Sequence, residues 1–412
     1  MPVMSQTQRG PEAGPRQRSL MLPFILVTSL FFMWGFAYGL LDVLNKHFQE
    51  ALNITKSRST LLQAAYFGAY FLMALPAGMI MKKYGYKSGI IIGLLLCAFG
   101  AFLFYPSADM KSFEFFLLAL FIIASGLTCL ETAANPYITI LGPKETSEFR
   151  LNFSQSFNGV GAFLGPIIGG MLFFNNDAGG SGSDLSNVKS VYLVIGGAVL
   201  VITVLFLISY LPEIKDKDNA RPSRSTGSLF RIQHFKWAVI AQFFYVAAQV
   251  GVGALFINYV TEYWQGISNE RASYLLSVAF LLFTFGRFAG TALMKKVLPR
   301  TLLTWYAVIN SVLCVLIMAY PGEVAVIALL AVFFFMSIMF PTIFALGVKD
   351  LGDDTKKASS FIIMSIVGGA LVPPLMGMIS NTSTALSFII PLVCFLIVTY
   401  YGWKKAGPEL KT

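Results

Sequence analysis

Twelve windows of about twenty predominantly apolar residues follow one another along this chain, and that succession limits what it can fold into. Their limits are 21–44, 60–82, 88–107, 113–140, 151–174, 190–211, 236–262, 271–294, 301–320, 324–347, 357–380 and 384–403. Each is long enough to cross the hydrocarbon core of a bilayer as a helix, and a helix satisfies its own backbone polar groups there. Only 12% of the residues are charged, against about 25% in a soluble domain. The expected fold class is an all-α membrane protein with twelve transmembrane helices.

The net charge of +10 would suggest nucleic acid in a soluble chain. Here the basic residues sit in short connections, so topology explains them and no nucleic-acid partner is expected. With a cytoplasmic N-terminus, 23 Lys and Arg fall in cytoplasmic segments and 6 in exterior ones, leaving Arg287 inside a span. That bias places both termini in the cytoplasm. Residues 1–20 read as a cytoplasmic tail with no signal peptide, 212–235 as a charged, Pro- and Ser-rich cytoplasmic linker, and 404–412 as a second tail. The linker divides the spans into two sets of six, 21–211 and 236–403. Cys97, Cys129, Cys314 and Cys394 all fall in apolar segments and read as small packing residues.

The two sets resemble each other. NPYITILGPKE (135–145) aligns with FPTIFALGVKD (340–350), and GAFLGPIIG (161–169) with GALVPPLMG (369–377). Gly78 before Lys82 and Lys83 is echoed by Gly290 before Lys295 and Lys296. Parallel six-helix repeats are the signature of the major facilitator architecture, whose site lies at mid-membrane between the halves. The repeat breaks in one informative place. Gln155 and Asn158 fall opposite Ile363 and Ile366, and Glu131 falls near Met336. Polar chemistry is concentrated in the first half.

Three charged residues lie in or at the edge of apolar segments: Asp42 at the end of the first, Glu131 in the fourth and Arg287 in the eighth. A carboxylate at bilayer depth costs roughly 2.5–3.5 kcal/mol, and an acid reached by water from alternate sides can carry a proton. The bland reading of Glu131 is an ion pair with Arg287 that locks two helices; Asp42 could be an interfacial residue near Lys46. Amides suit sugars because each offers a donor and an acceptor to a hydroxyl pair. Asn135, Gln155, Asn158 and Gln249 are the candidates, with Gln155 and Asn158 three apart on one helix face; the alternative for such a pair is interhelical hydrogen bonding. Trp34 could stack under a sugar ring or simply pack. Gly161, Gly165 and Gly169 at four-residue spacing read as a close helix approach. His47 reads as a loop residue at the membrane edge. No GxxxxGK[ST], HExxH or CxxC occurs, so neither an enzyme nor a metal or organic cofactor is expected.

The motifs CLETAANP (129–136), LGP (141–143), FRLN (149–152), PAG (76–78), KWAV (236–239), GRF with GT (286–291), PTIF (341–344) and SSFI (359–362) together resemble the L-fucose:proton symporter family of the major facilitator superfamily, over about Ser29 to Gly377. The resemblance implies a proton-coupled monosaccharide carrier of the plasma membrane (the inner membrane in a bacterium), with membrane lipid as its surroundings and working as a monomer. It implies that Asp42 and Glu131 couple the proton, and that Gln155, Asn158 and Trp34 contact the sugar. Where the fucose transporters carry asparagines, this chain has Tyr38, Gly39 and Leu41. Sodium as coupling ion, facilitated uniport and a non-transporting sugar receptor are the alternatives.

Overall fold

The structure is a computed structural model that describes residues 20–141, 147–174, 185–211, 229–294, 296–349, 351 and 355–406. Residues 1–19 of the N-terminal tail, 212–228 of the linker, 407–412 of the C-terminal tail and Lys144 lie outside the described residues. Twelve helices among the described residues are long and apolar enough to span a membrane: α1 (Met21–Ala51), α2 (Lys56–Met81), α3 (Lys83–Asp109), α4 (Phe113–Ile140), α5 (Ser147–Phe173), α6 (Ser186–Ile208), α7 (Gln233–Ala254), α8 (Asn269–Leu293), α9 (Pro299–Ala319), α10 (Glu323–Val348), α11 (Ser360–Ser380) and α12 (Leu386–Lys405). The four cysteines are free and buried. The first six helices (one half of the chain) and the last six (the other half) touch mainly along α2 with α11 and α5 with α8, with α1 touching α7.

Three local features position the interior. The first is a seam of glycines between α1 and α5. A Cβ at Gly35 would lie 1.9 Å from the Asn158 carbonyl oxygen, one at Gly161 2.2 Å from the Phe32 carbonyl oxygen, and one at Gly165 2.9 Å from Gly39. Gly169 continues the line against Leu40 and Val43. Backbones can approach this closely only without side chains between them.

The second is a break in α10, where Glu323–Met336 gives way to Met339–Val348. Pro341 has no N–H to offer the Ser337 carbonyl four residues back. Arg287 Nε of α8 donates to that carbonyl at 3.4 Å, and the Tyr245 hydroxyl of α7 donates to the neighbouring Met336 carbonyl at 3.1 Å. Side chains from two other helices thus satisfy backbone groups that the break releases.

The third is the length of α1. It runs on to Ala51, so Asp42 lies within the helix and does not end it. His47 is likewise helical and fully buried, packed against the rings of Phe173 (5.4 Å) and Phe174 (5.7 Å), which corrects its reading as a loop residue. The polar run DVLNKHFQE (42–50) was no guide to the helix end because Asp42, Asn45 and His47 within it are buried in protein.

Candidate functional site

Helix α1 carries Trp34, Tyr38 and Asp42 at four-residue spacing, hence on one face. Helix α2 presents Gln63, Tyr66 and Tyr70 at spacings of three and four, which forms a second face turned toward the first. Asp42 is 2% exposed; its Oδ1 accepts from Gln63 Nε2 at 3.3 Å and its Oδ2 has no partner. That second oxygen lies against α7, where a Cβ added to Gly253 would come within 2.7 Å of it.

Glu131 and Asn135 lie one turn apart on α4, both half-buried. Asn135 Oδ1 accepts from Gln155 Nε2 of α5 at 3.2 Å, so two of the predicted amides form one pair. Asn158 Nδ2 donates to the Phe31 carbonyl of α1 at 3.3 Å, tying the amide helix to the helix of Asp42. The Tyr66 hydroxyl lies beside Trp34 and the Tyr70 hydroxyl beside Glu131, yet neither completes a hydrogen bond of good geometry. Both hydroxyls and one oxygen of Asp42 therefore keep unused bonding capacity in the interior. Tyr66 and Tyr70 were not singled out from the sequence, although their spacing from Gln63 was the available signal.

Two predicted residues stand apart from this group. Arg287 makes no ion pair with Glu131; its guanidinium lies over the Phe283 ring at 5.0 Å and its Nε serves the break in α10. Gln249 is half-buried on α7 and bonds no described residue. Neither Asp42 nor Glu131 forms an ion pair with a described residue, and no cluster of three or more His, Cys, Asp or Glu suited to a metal occurs among the described residues.

At the end of the bundle away from the termini, the halves are hydrogen-bonded together. Asn45 Nδ2 donates to the Ala254 carbonyl at 2.6 Å. Gln49 and Asn258 form a reciprocal amide clasp, Asn258 Nδ2 to Gln49 Oε1 at 2.6 Å and Gln49 Nε2 to Asn258 Oδ1 at 3.1 Å. Lys56 pairs with Glu262 and donates to Thr384 Oγ1 and the Ser380 carbonyl, and Asn269 donates to Glu50. Among the described residues every hydrogen bond between the halves lies at this end. Asn45 and Asn258 are fully buried, whereas Glu50 of the same cluster is exposed.

A profile of the Major Facilitator Superfamily matches residues 24–366. The chain belongs to that superfamily. The L-fucose-proton symporter of Escherichia coli is 39% identical over 424 residues, covering 97% of each chain. The glucose/galactose transporter of Brucella abortus is 35% identical over 379 residues, covering 91% of this chain and 92% of its own. Within the superfamily these place the chain in the family of fucose-proton symporters and glucose/galactose transporters, and the relatives are transporters, not enzymes. The crystal structure of the transporter FucP in the outward conformation superposes with a TM-score of 0.69 at 39% identity, covering 93% of this chain and 99% of that one. The twelve-helix fold expected from the sequence is that of the family.

Proposed function

We propose that the chain is a secondary active transporter that imports a monosaccharide together with a proton by alternating access. The observation that carries this reading is the pair of carboxyl side chains inside the membrane, Asp42 on α1 and Glu131 on α4, neither ion-paired to a described residue. A charged acid at this depth costs roughly 2.5–3.5 kcal/mol, and taking up a proton removes that cost, so each acid gains by being loaded before it crosses. The relatives named fucose-proton symporter and glucose/galactose transporter supply the substrate class.

The roles divide by position. Glu131 and Asp42 handle the proton. Asn135, Gln155 and Asn158 offer amides to sugar hydroxyls, with Trp34 under the ring and Gln249 on the facing helix. Arg287 braces the second half. Residues 21–211 and 236–403 are the two rocking bodies, joined by the linker 212–235, with both termini cytoplasmic. On that topology the bonded cluster around Gln49 and Asn258 is the exterior gate in its closed position. The protein is a multi-pass protein of the plasma membrane; it works as a monomer in lipid, without bound cofactor or nucleic acid.

The test uses proteoliposomes with an internal pH dye. Fucose, galactose, glucose, mannose and N-acetylglucosamine are added singly, with and without sodium, beside a Glu131→Gln variant. Sugar-dependent acidification that the variant lacks is the expected result. Uptake of labelled sugar without acidification would move the coupling to sodium or remove it, and binding without uptake would make the chain a receptor.

A further inference from the structure

Four tyrosines, Tyr38, Tyr66, Tyr70 and Tyr245, lie near Trp34, Glu131 or Asp42 or near one another, and their hydroxyls differ in what is left for a ligand. The Tyr66 and Tyr70 hydroxyls are sealed in the interior beside Trp34 and Glu131. The Tyr245 hydroxyl already donates to the Met336 carbonyl at the break in α10. Tyr38 is the exception. Its hydroxyl bonds no described residue, and it is not among the sealed atoms.

The ring of Tyr38 is held from both halves. It stands edge-on to Phe67 of α2, at 6.3 Å between centroids and 79°, and to Phe280 of α8, at 5.7 Å and 64°. Phe67 belongs to the first half and Phe280 to the second, so the three rings form an aromatic collar across the junction. Tyr38 also shares its face of α1 with Trp34 one turn before and Asp42 one turn after. A side chain fixed by edge-to-face contacts presents its polar tip in one direction at little entropic cost. This tip is an available donor and acceptor, on the face of α1 that also carries Trp34 and the buried Asp42.

We infer that Tyr38 is a specificity-determining residue: its hydroxyl bonds one hydroxyl of the transported sugar, and its collar forms the wall of the sugar cavity toward Asp42. The inference rests on the sugar-transport reading above and adds to it the residue that selects among sugars. A site built to bond a substrate hydroxyl discriminates against an analogue that lacks it, because the group in the protein is then left unpaired.

The test is a cycle between protein and substrate in proteoliposomes. Tyr38→Phe keeps the ring and its contacts and removes only the hydroxyl. Initial rates are measured for the wild type and the variant with the sugar the wild type transports and with each of its monodeoxy analogues. The variant should raise KM for the parent sugar roughly five- to tenfold, as expected for one hydrogen bond, and leave the maximal rate nearly unchanged. For one monodeoxy analogue the wild type and the variant should have the same KM. That equality is the signature of a direct bond, which a structural role would not produce. An unchanged KM for the parent sugar, or an equal shift for the parent and every analogue, would overturn the inference while leaving sugar transport standing. A wild type that transports no sugar would overturn the functional reading and this inference together. Thermal unfolding of the variant in detergent, expected to match the wild type, guards against a folding defect as the cause of a raised KM.

Discussion

Replacing Asn258 with alanine removes the amide clasp between the halves, and its effect can be worked from two bonds. Asn258 Nδ2 donates to Gln49 Oε1 at 2.6 Å, and Gln49 Nε2 returns a bond to Asn258 Oδ1 at 3.1 Å. The Gln49 amide nitrogen keeps a second acceptor, Ser59 Oγ at 2.9 Å, so the larger loss falls on its oxygen. Interhelical hydrogen bonds in membranes average about 0.6 kcal/mol, and hydrogen bonds in soluble proteins reach about 1.5 kcal/mol. Two of them are worth about 1–3 kcal/mol. Because they bridge the halves, they are made only while this end is closed, and losing them should shift the equilibrium about 5- to 150-fold toward the open form. Spin labels at Met110→Cys and Gln265→Cys, both exposed at this end, report the separation of the halves by pulsed electron resonance. The expected result is a longer-distance population that grows in the Asn258→Ala protein, and grows equally in Gln49→Ala and in the double variant. An unchanged distance distribution, or single effects that simply add in the double variant, would refute the clasp as a unit that holds the gate.

Two further replacements probe the scaffold. Gly35→Ala would set a methyl carbon 1.9 Å from the Asn158 carbonyl oxygen, a backbone atom that cannot swing away; overpacking of this kind costs about 1–3 kcal/mol and should lower the Tm in detergent, whereas Gly68→Ala, where nothing lies near the new carbon, should not. Arg287→Met leaves the Ser337 carbonyl without its donor, which should cost about 1–3 kcal/mol, and adding Pro341→Ala should restore part of the loss in Tm by returning a backbone N–H to that carbonyl.

The spans were legible because apolar length survives in the sequence without any knowledge of packing. The glycine seam was legible as well, since Gly161, Gly165 and Gly169 occur at helical spacing. The end of α1 was not. Asn45, His47 and Gln49 look like residues leaving the membrane, but Asn45 and Gln49 are bonded across to the other half of the chain and His47 is buried against Phe173 and Phe174. Hydropathy cannot separate that environment from water. Arg287 shows a second kind of limit: from sequence its natural partner is the other buried charge, Glu131. The structure gives it the carbonyl freed by Pro341, a backbone group that no pattern of side chains reveals. The pairing of Asn135 with Gln155 was likewise beyond reach, although each residue was named, because it depends on how α4 and α5 lie against each other.

The seam between α1 and α5 has a mechanical consequence. Gears with play between their teeth lose the first part of any movement before they transmit it, and side chains that can change rotamer are such play. Where Gly35, Gly39, Gly161 and Gly165 meet, backbone rests on backbone and there is no rotamer to slip. A ligand that displaces α5 through Gln155 therefore displaces α1 with it, and Asp42 travels on the same rigid bar. On the roles proposed for Gln155 and Asp42, the carbons these four glycines lack serve as a keyed joint between the place where a ligand is felt and the place where a charge must respond.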